Sequence, residues 1–380
     1  DRRQHLAEHP RSYLGVTRSI EDVDPAVEDP ETEAIRLSRA SLEALLGDGA
    51  FGAETEPGFY LYRLETDDHH QTGLVCGVAS ADYEAGQVRI HEQIKQARAD
   101  ILARHLSAVG AQSSPIAMAF GSAPDLVSLM ARITADSEPV LDIVDDDLRQ
   151  TLWAVTDPGD AETARRSLAG EDLYLIDGHH RAAAAATHRR LTGDDQHLML
   201  SVIFPFDELR SETFHRILRP VDTELLLAQL THQFPVTPAP TVDAVMERAS
   251  TDIAVAIGGD QTTWYLVELP PPLAEDDGAT LDIDPVRLRQ HVLQPLFGID
   301  ESGADPRLVH RPGPDDADAV GRLRLKPGQV AFWMRPVPAS VLLEVADRGG
   351  TMPPKSTYFV PKVRSGLFIR LTDPLLADRA

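Results

Sequence analysis

Three short segments carry the residue types that phosphate chemistry needs. In the first, Asp177-Gly178-His179-His180-Arg181, an acid, a glycine, two imidazoles and a guanidinium follow one another directly. Leu173 to Ile176 before it has the apolarity of a buried strand, and the five alanines Ala182 to Ala186 after it are the strongest of helix formers. The turn therefore sits where a strand hands over to a helix. There the first helical N–H groups lack partners within the helix, and the helix dipole adds partial positive charge. Both suit a phosphate. Gly178 removes the β-carbon where a ligand would approach the backbone, and Arg181 offers a fork of donors to phosphate oxygens. Asp177 can cap the helix or hold Mg²⁺ through water. A capping aspartate, a turn glycine and surface histidines would explain each residue singly, but not their arrival together at the exit of a buried strand. Zinc is a weaker reading of His179-His180, because sequence neighbours rarely bind one ion and no third ligand has suitable spacing.

The second segment is Arg89-Ile90-His91-Glu92, read as the opening of an amphipathic helix over 91–109. Ile94, Ala97, Ile101, Ala108 and Val109 fall near one face at the helical period, and Gly110 supplies a stop. A glutamate there either complements the helix dipole or offers a general base. The third is Met352-Pro353-Pro354-Lys355-Ser356-Thr357-Tyr358-Phe359-Val360-Pro361-Lys362. Two prolines hold the backbone extended, and a lysine, two hydroxyls and a second lysine follow, a set suited to a phosphate or a carboxylate. The alternative is a basic turn leading into an edge strand. Lysine is scarce in this chain: only Lys95, Lys326, Lys355 and Lys362 occur among 36 basic residues, so two of them within eight positions weigh towards function.

The surrounding elements read as mixed α and β. Phe59 to Leu64 and Leu74 to Ala79 form a candidate hairpin across a polar turn with His69 and His70, which are expected to face solvent. Ile116 to Phe120 is a short buried strand, and Asp125 to Thr134 a helix. Val140 to Val144 and Gln150 to Val155 are a strand pair joined through Asp145-Asp146-Asp147, whose consecutive side chains do not converge on a metal. Ser201 to Phe206 is a further strand. Beyond residue 220 come helices near 222–233 and 241–249, a hairpin over 253–269, a helix over 284–296, a polar loop over 303–318, and strands at 330–334 and 360–371 with a short helix over 340–348 between them.

The 380 residues, 42% hydrophobic and 25% charged, describe a folded chain of two or three packed parts. A net charge of −24 argues against coating nucleic acid or an anionic membrane. No apolar run is long enough for a membrane-spanning helix. The single cysteine, Cys76, allows neither an internal disulfide nor a multi-cysteine zinc site, which points to a reducing, cytoplasmic location.

Taken in order, these segments resemble the domain-of-unknown-function 1015 family. The resemblance runs through His9-Pro10-Arg11-Ser12-Tyr13-Leu14, Phe59-Tyr60-Leu61-Tyr62, Arg89-Ile90-His91-Glu92, Asp177-Gly178-His179-His180-Arg181, Phe214-His215-Arg216 and Met352 to Phe359. It departs from the family pattern at Gly15, where a histidine is common. Members look similar in their core to the ParB/sulfiredoxin fold and to the free-serine kinases built on it. The resemblance implies an α+β fold: a ParB/sulfiredoxin-like core with a mixed sheet and flanking helices over 1–220, a smaller α/β accessory region over 221–350, and a C-terminal strand segment, 351–380, returning to the core. It implies a kinase that moves a phosphoryl group from ATP or ADP, with Mg²⁺, to the hydroxyl of free L-serine. Glu92 would be the base, with His91 beside the substrate. Gly178, His179, His180 and Arg181 would hold the phosphates with Lys355, Ser356 and Thr357. Asp177 would stand by the metal and the reacting hydroxyl, and Arg216 or Lys362 would meet the substrate carboxylate. Expected partners are a nucleotide and a small hydroxyl-bearing metabolite such as serine, without nucleic acid or membrane; a homodimer is left open. The rival from another class is a regulatory protein that binds a nucleotide or metabolite without turnover, since fold does not fix function.

Overall fold

The computed structural model describes residues 2–52, 58–112, 114–274, 281–301 and 305–377. The chain divides into two units. Unit 1 takes residues 1–90, 94–209 and 361–380, and unit 2 takes 91–93 and 210–360.

Unit 1 is built on an eight-stranded mixed sheet. Its strands are β1 (Phe59–Glu65), β2 (His70–Ala79), β3 (Val88–Arg89), β4 (Ile116–Phe120), β5 (Leu141–Asp145), β6 (Leu148–Val155), β7 (Leu173–Asp177) and β8 (Leu198–Pro205). They lie in the order β3-β7-β4-β8-β2-β1-β6-β5. The β3–β7 and β4–β8 pairs are parallel and the others antiparallel. The expected β1–β2 hairpin forms with Leu61 opposite Leu74. The acidic run between β5 and β6 is a tight turn in which Asp146 and Asp147 take positive φ, a conformation aspartate tolerates in two-residue hairpin loops.

Flanking helices are α1 (Pro30–Gly47), α2 (Gln96–Val109), α3 (Pro124–Asp136), α4 (Pro158–Leu168) and α5 (His179–Thr192). Every residue of β4 is buried, as its unbroken apolar run requires. Met118 and Phe120 of β4, Leu175 of β7, Leu126 of α3, and Ala182 and Ala185 of α5 share one core. The alanine run thus does more than favour a helix: its small side chains are all buried and let α5 lie close to the sheet. Among the described residues no helix is long and apolar enough to cross a membrane.

Unit 2 holds a seven-stranded sheet. Its strands are β9 (Arg210–Leu218), β10 (Val236–Pro238), β11 (Asp252–Ile257), β12 (Thr263–Glu268), β13 (Leu308–Gly313), β14 (Val330–Trp333) and β15 (Tyr358–Val360). Six run in the order β10-β12-β11-β14-β9-β13, and β15 pairs with the first residues of β9. Where the sequence suggested a small α/β region, every pairing is antiparallel, because hairpins rather than crossover helices join neighbours such as β11 and β12.

Two further expectations are corrected. The polar stretch 303–318, whose residues 303 and 304 lie outside the described ones, contains β13, an edge strand with few apolar residues to betray it. The helix expected over 91–109 starts at Gln96. Residues 91–93 are extended instead, Met352 N–H donates to His91 O at 2.7 Å, and Glu92 forms a parallel bridge with Met352. Glu92 is therefore not at a helix N-terminus.

At Gly73 in β2 an added β-carbon would stand 2.6 Å from Val202 Cγ1 and 2.8 Å from Phe204 Cε1, both side chains fully buried. Gly73→Ala should destabilise by about 1–3 kcal/mol through this overpacking, read as a lower urea midpoint with an unchanged slope.

Candidate functional site

In unit 1 the turn after β7 is organised by one carboxylate. Asp177 accepts from Arg181 Nη2 at 2.5 Å through Oδ2 and from Lys362 Nζ at 2.5 Å through Oδ1. Arg181 also donates through Nη1 to Pro115 O at 2.5 Å, tying the first turn of α5 to the start of β4. Burial pushes the Asp177 carboxyl up, but Arg181 and Lys362 outweigh it and hold the group below the usual carboxylate range.

Asp177 does not cap α5. The cap position is Gly178, at φ 101°, which has no side chain to offer as a cap. Glycine is required twice over: the positive φ disfavours any other residue, and a β-carbon would lie 3.0 Å from the Arg181 guanidinium. The space expected for a ligand at Gly178 is thus occupied by Arg181. His179 is buried. His180 is half-buried, and Lys95 N–H donates to its Nε2 at 3.2 Å, which links this turn to the residue before α2. The first turn of α5 therefore starts beside two cations, Arg181 and Lys362.

In unit 2 the structure gathers a second set. His91 is buried and its Nε2 lies 3.2 Å from Thr357 Oγ1, while Glu92, half-buried, pairs with Met352. Ser356 is buried and donates to Pro353 O at 2.7 Å, closing its own turn. Lys355 is the exposed member; it takes φ 59°, and its Nζ stands 5.1 Å from the centre of the Phe214 ring. So His91 and Thr357, which the resemblance placed beside the substrate and on the phosphates, meet within this unit though far apart in sequence.

Arg216 serves a different end from the one expected. Its side chain is fully buried, and it donates to Glu301 Oε1 at 2.7 Å, Phe214 O at 2.6 Å, Lys355 O at 2.9 Å and Pro354 O at 3.3 Å. It braces the Pro354-Lys355 turn from behind and has no face open to a substrate carboxylate. Of the two cations considered for that carboxylate, only Lys362 is partly exposed.

Residues 1–288 match the family described as a protein of unknown function, DUF1015, and the chain belongs to that family. A search of curated proteins finds no match. Among solved structures, the chain is similar to a free serine kinase in complex with AMP, at 16% identity over 83% of this chain and 95% of that one, with a TM-score of 0.36. It is similar to a conserved hypothetical protein from Pyrococcus furiosus at 15% identity over 77% and 94% of the two chains, with a TM-score of 0.36. It is also similar to SbnI with a C-terminal truncation from Staphylococcus aureus, at 14% identity over 76% and 84%, with a TM-score of 0.39.

Sequence reasoning missed Glu301 and His310. Glu301, buried and at φ 61°, bonds both Arg216 and His310, the latter at 3.1 Å. No spacing in the polar stretch around it marks Glu301; only a buried arginine in need of a counter-charge would have called for such a residue.

Because the Asp177 value is depressed, its ion pairs stabilise the fold fully above the ordinary carboxylate value and lose that contribution as pH falls through the depressed one. An NMR titration should place the Asp177 carboxyl midpoint below about 3.9. Asp177→Asn should flatten the acid limb of the stability profile below about pH 4.

Proposed function

We propose that the protein is a small-molecule kinase that transfers a phosphoryl group from ATP or ADP to the hydroxyl of free L-serine, with unit 1 serving as a ParB/sulfiredoxin-like core. The observation that carries the reading is the turn after β7: a helix start at which Arg181 and Lys362 are held together on a single carboxylate. Phosphoryl transfer asks a protein mainly for positioning and for neutralisation of charge on the phosphates, which Arg181 at the helix start would supply. The phosphates would lie at the first turn of α5, on the side of His179 to Arg181, since Arg181 covers Gly178. Asp177 would orient the two cations rather than touch the reacting atoms.

On this reading Glu92 accepts the serine hydroxyl proton as the new O–P bond forms and the bond to the departing nucleotide oxygen breaks. The family resemblance and the placement of Glu92 beside the His91–Thr357 contact support that role. The resemblance assigns Lys355, exposed and held at a fixed turn, to a phosphate, whereas Ser356 and Thr357 act through the turn and through His91. Lys362 is assigned to the serine carboxylate.

Magnesium does not fit Asp177 as the residue stands. Each carboxylate oxygen already faces a cation, so Mg²⁺ would have to displace Lys362 or Arg181. Among the described residues no group of three His, Cys, Asp or Glu side chains gathers to hold a metal.

Arg181→Ala should weaken ADP binding by about 1.5–3 kcal/mol, the scale of a charge-assisted hydrogen bond, and unchanged affinity by calorimetry would remove Arg181 from the phosphate site. Glu92→Gln should lower the rate of O-phosphoserine formation by about 10²–10⁴, with ADP affinity held within a few-fold. Wild-type protein that binds nucleotide yet turns over no hydroxyl-bearing acceptor would return the regulatory reading.

A further inference from the structure

A cavity of about 230 Å³ lies beside α5 in unit 1. Its apolar walls are Leu102 and Leu106 of α2, Ile116 of β4, and Ala184 and Ala185 of α5. Arg181, whose guanidinium holds Asp177, lines it as well, so the cavity adjoins the turn described above. Arg18 and His105 also face it, and each keeps a buried nitrogen, Nε and Nε2 respectively, without a hydrogen-bond partner. The other polar groups are already engaged: Gln112 bonds Leu198 O and Leu200 N, and Ser114 bonds Ser365.

The lining chooses among ligand classes. Broad apolar walls with a few hydrogen-bonding groups suit a flat heteroaromatic ring. A free amino acid would bring an ammonium group, and among the described residues no carboxylate lines the cavity to receive it. Burial lowers the His105 value, so its ring is neutral near pH 7 and can exchange hydrogen bonds with a neutral base without repelling a donor. Gly15 contributes from behind Arg18. A β-carbon there would stand 2.9 Å from Ser41 Oγ and at ordinary contact distance, 3.9 Å, from Arg18 Nη2, so a larger residue would press on Ser41.

We infer that this cavity takes the base and ribose of a purine nucleotide whose phosphates lie at the first turn of α5, an assignment that rests on the phosphate reading above. Arg181 joins the two parts of the site, and Arg18 and His105 read the base or the sugar hydroxyls.

The test is calorimetry on the full chain with ADP and with inorganic pyrophosphate. ADP should bind at least about tenfold more tightly than pyrophosphate. Leu102→Trp, which fills the cavity from a half-buried helix position, should remove that preference while leaving pyrophosphate within about twofold. His105→Phe keeps a ring in place, removes the unpaired nitrogen, and should weaken ADP selectively, which covers the case in which the tryptophan variant fails to fold. Equal binding of the two ligands by wild-type protein, or equal weakening of both by these variants, would overturn the base pocket and leave the phosphate site standing. Failure of both ligands to bind wild-type protein would overturn the phosphate reading and the pocket with it.

Discussion

A half-buried carboxylate that carries two cations is the constraint on which unit 1 turns. Asp177 ends β7, and its charge is held by Arg181, four residues on along α5, and by Lys362 from the C-terminal segment. Arg181 reaches back only by lying over residue 178, and only glycine leaves room for it there. The same guanidinium anchors Pro115 O at the start of β4. Aspartate, glycine and arginine in this motif are therefore three parts of one contact. Loss of the acid would leave two cations unopposed, and a side chain at residue 178 would push the guanidinium away from it.

Unit 2 solves a harsher version of the same problem. Arg216 has no exposure to water, and a guanidinium in that position persists only when its donors are satisfied. Its partners are Glu301 and three backbone carbonyls, two of them in the turn that presents Lys355. Both Glu301 and Lys355 take left-handed backbone conformations, which cost non-glycine residues about 1–3 kcal/mol each and survive where the surroundings over-determine them. Arg216 bonds both residues, so one buried charge accounts for two strained positions. Removing it would strand Glu301 in the interior, a loss of about 3–5 kcal/mol for a buried pair.

The parts of this architecture legible in the sequence are those set by local pattern. The β1–β2 hairpin, the buried β4 strand, the acidic turn between β5 and β6, and the strand–turn–helix at Asp177 follow from apolar period, turn residues and helix propensity over a few neighbours. The misread parts share one cause. Residues 91–93 fit a helical period but are drawn into extended conformation by Met352, some 260 positions away. Strand β13 is an edge strand that owes its existence to pairing with β9 rather than to its own residues. Local pattern carries no information about a partner that distant.

The same division holds for the candidate site. Residue types alone single out segments whose chemistry suits phosphate, because a strand exit, a glycine, an arginine and a scarce lysine are visible in one dimension. The division of labour among them was decided by tertiary structure. Arg216, read as a substrate contact, is an internal brace because burial leaves it no other partner than Glu301 and backbone carbonyls. Gly178, read as ligand space, makes room for Arg181. A sequence records the charges a chain carries; which of them face each other, and which face a ligand, depends on where folding removes water.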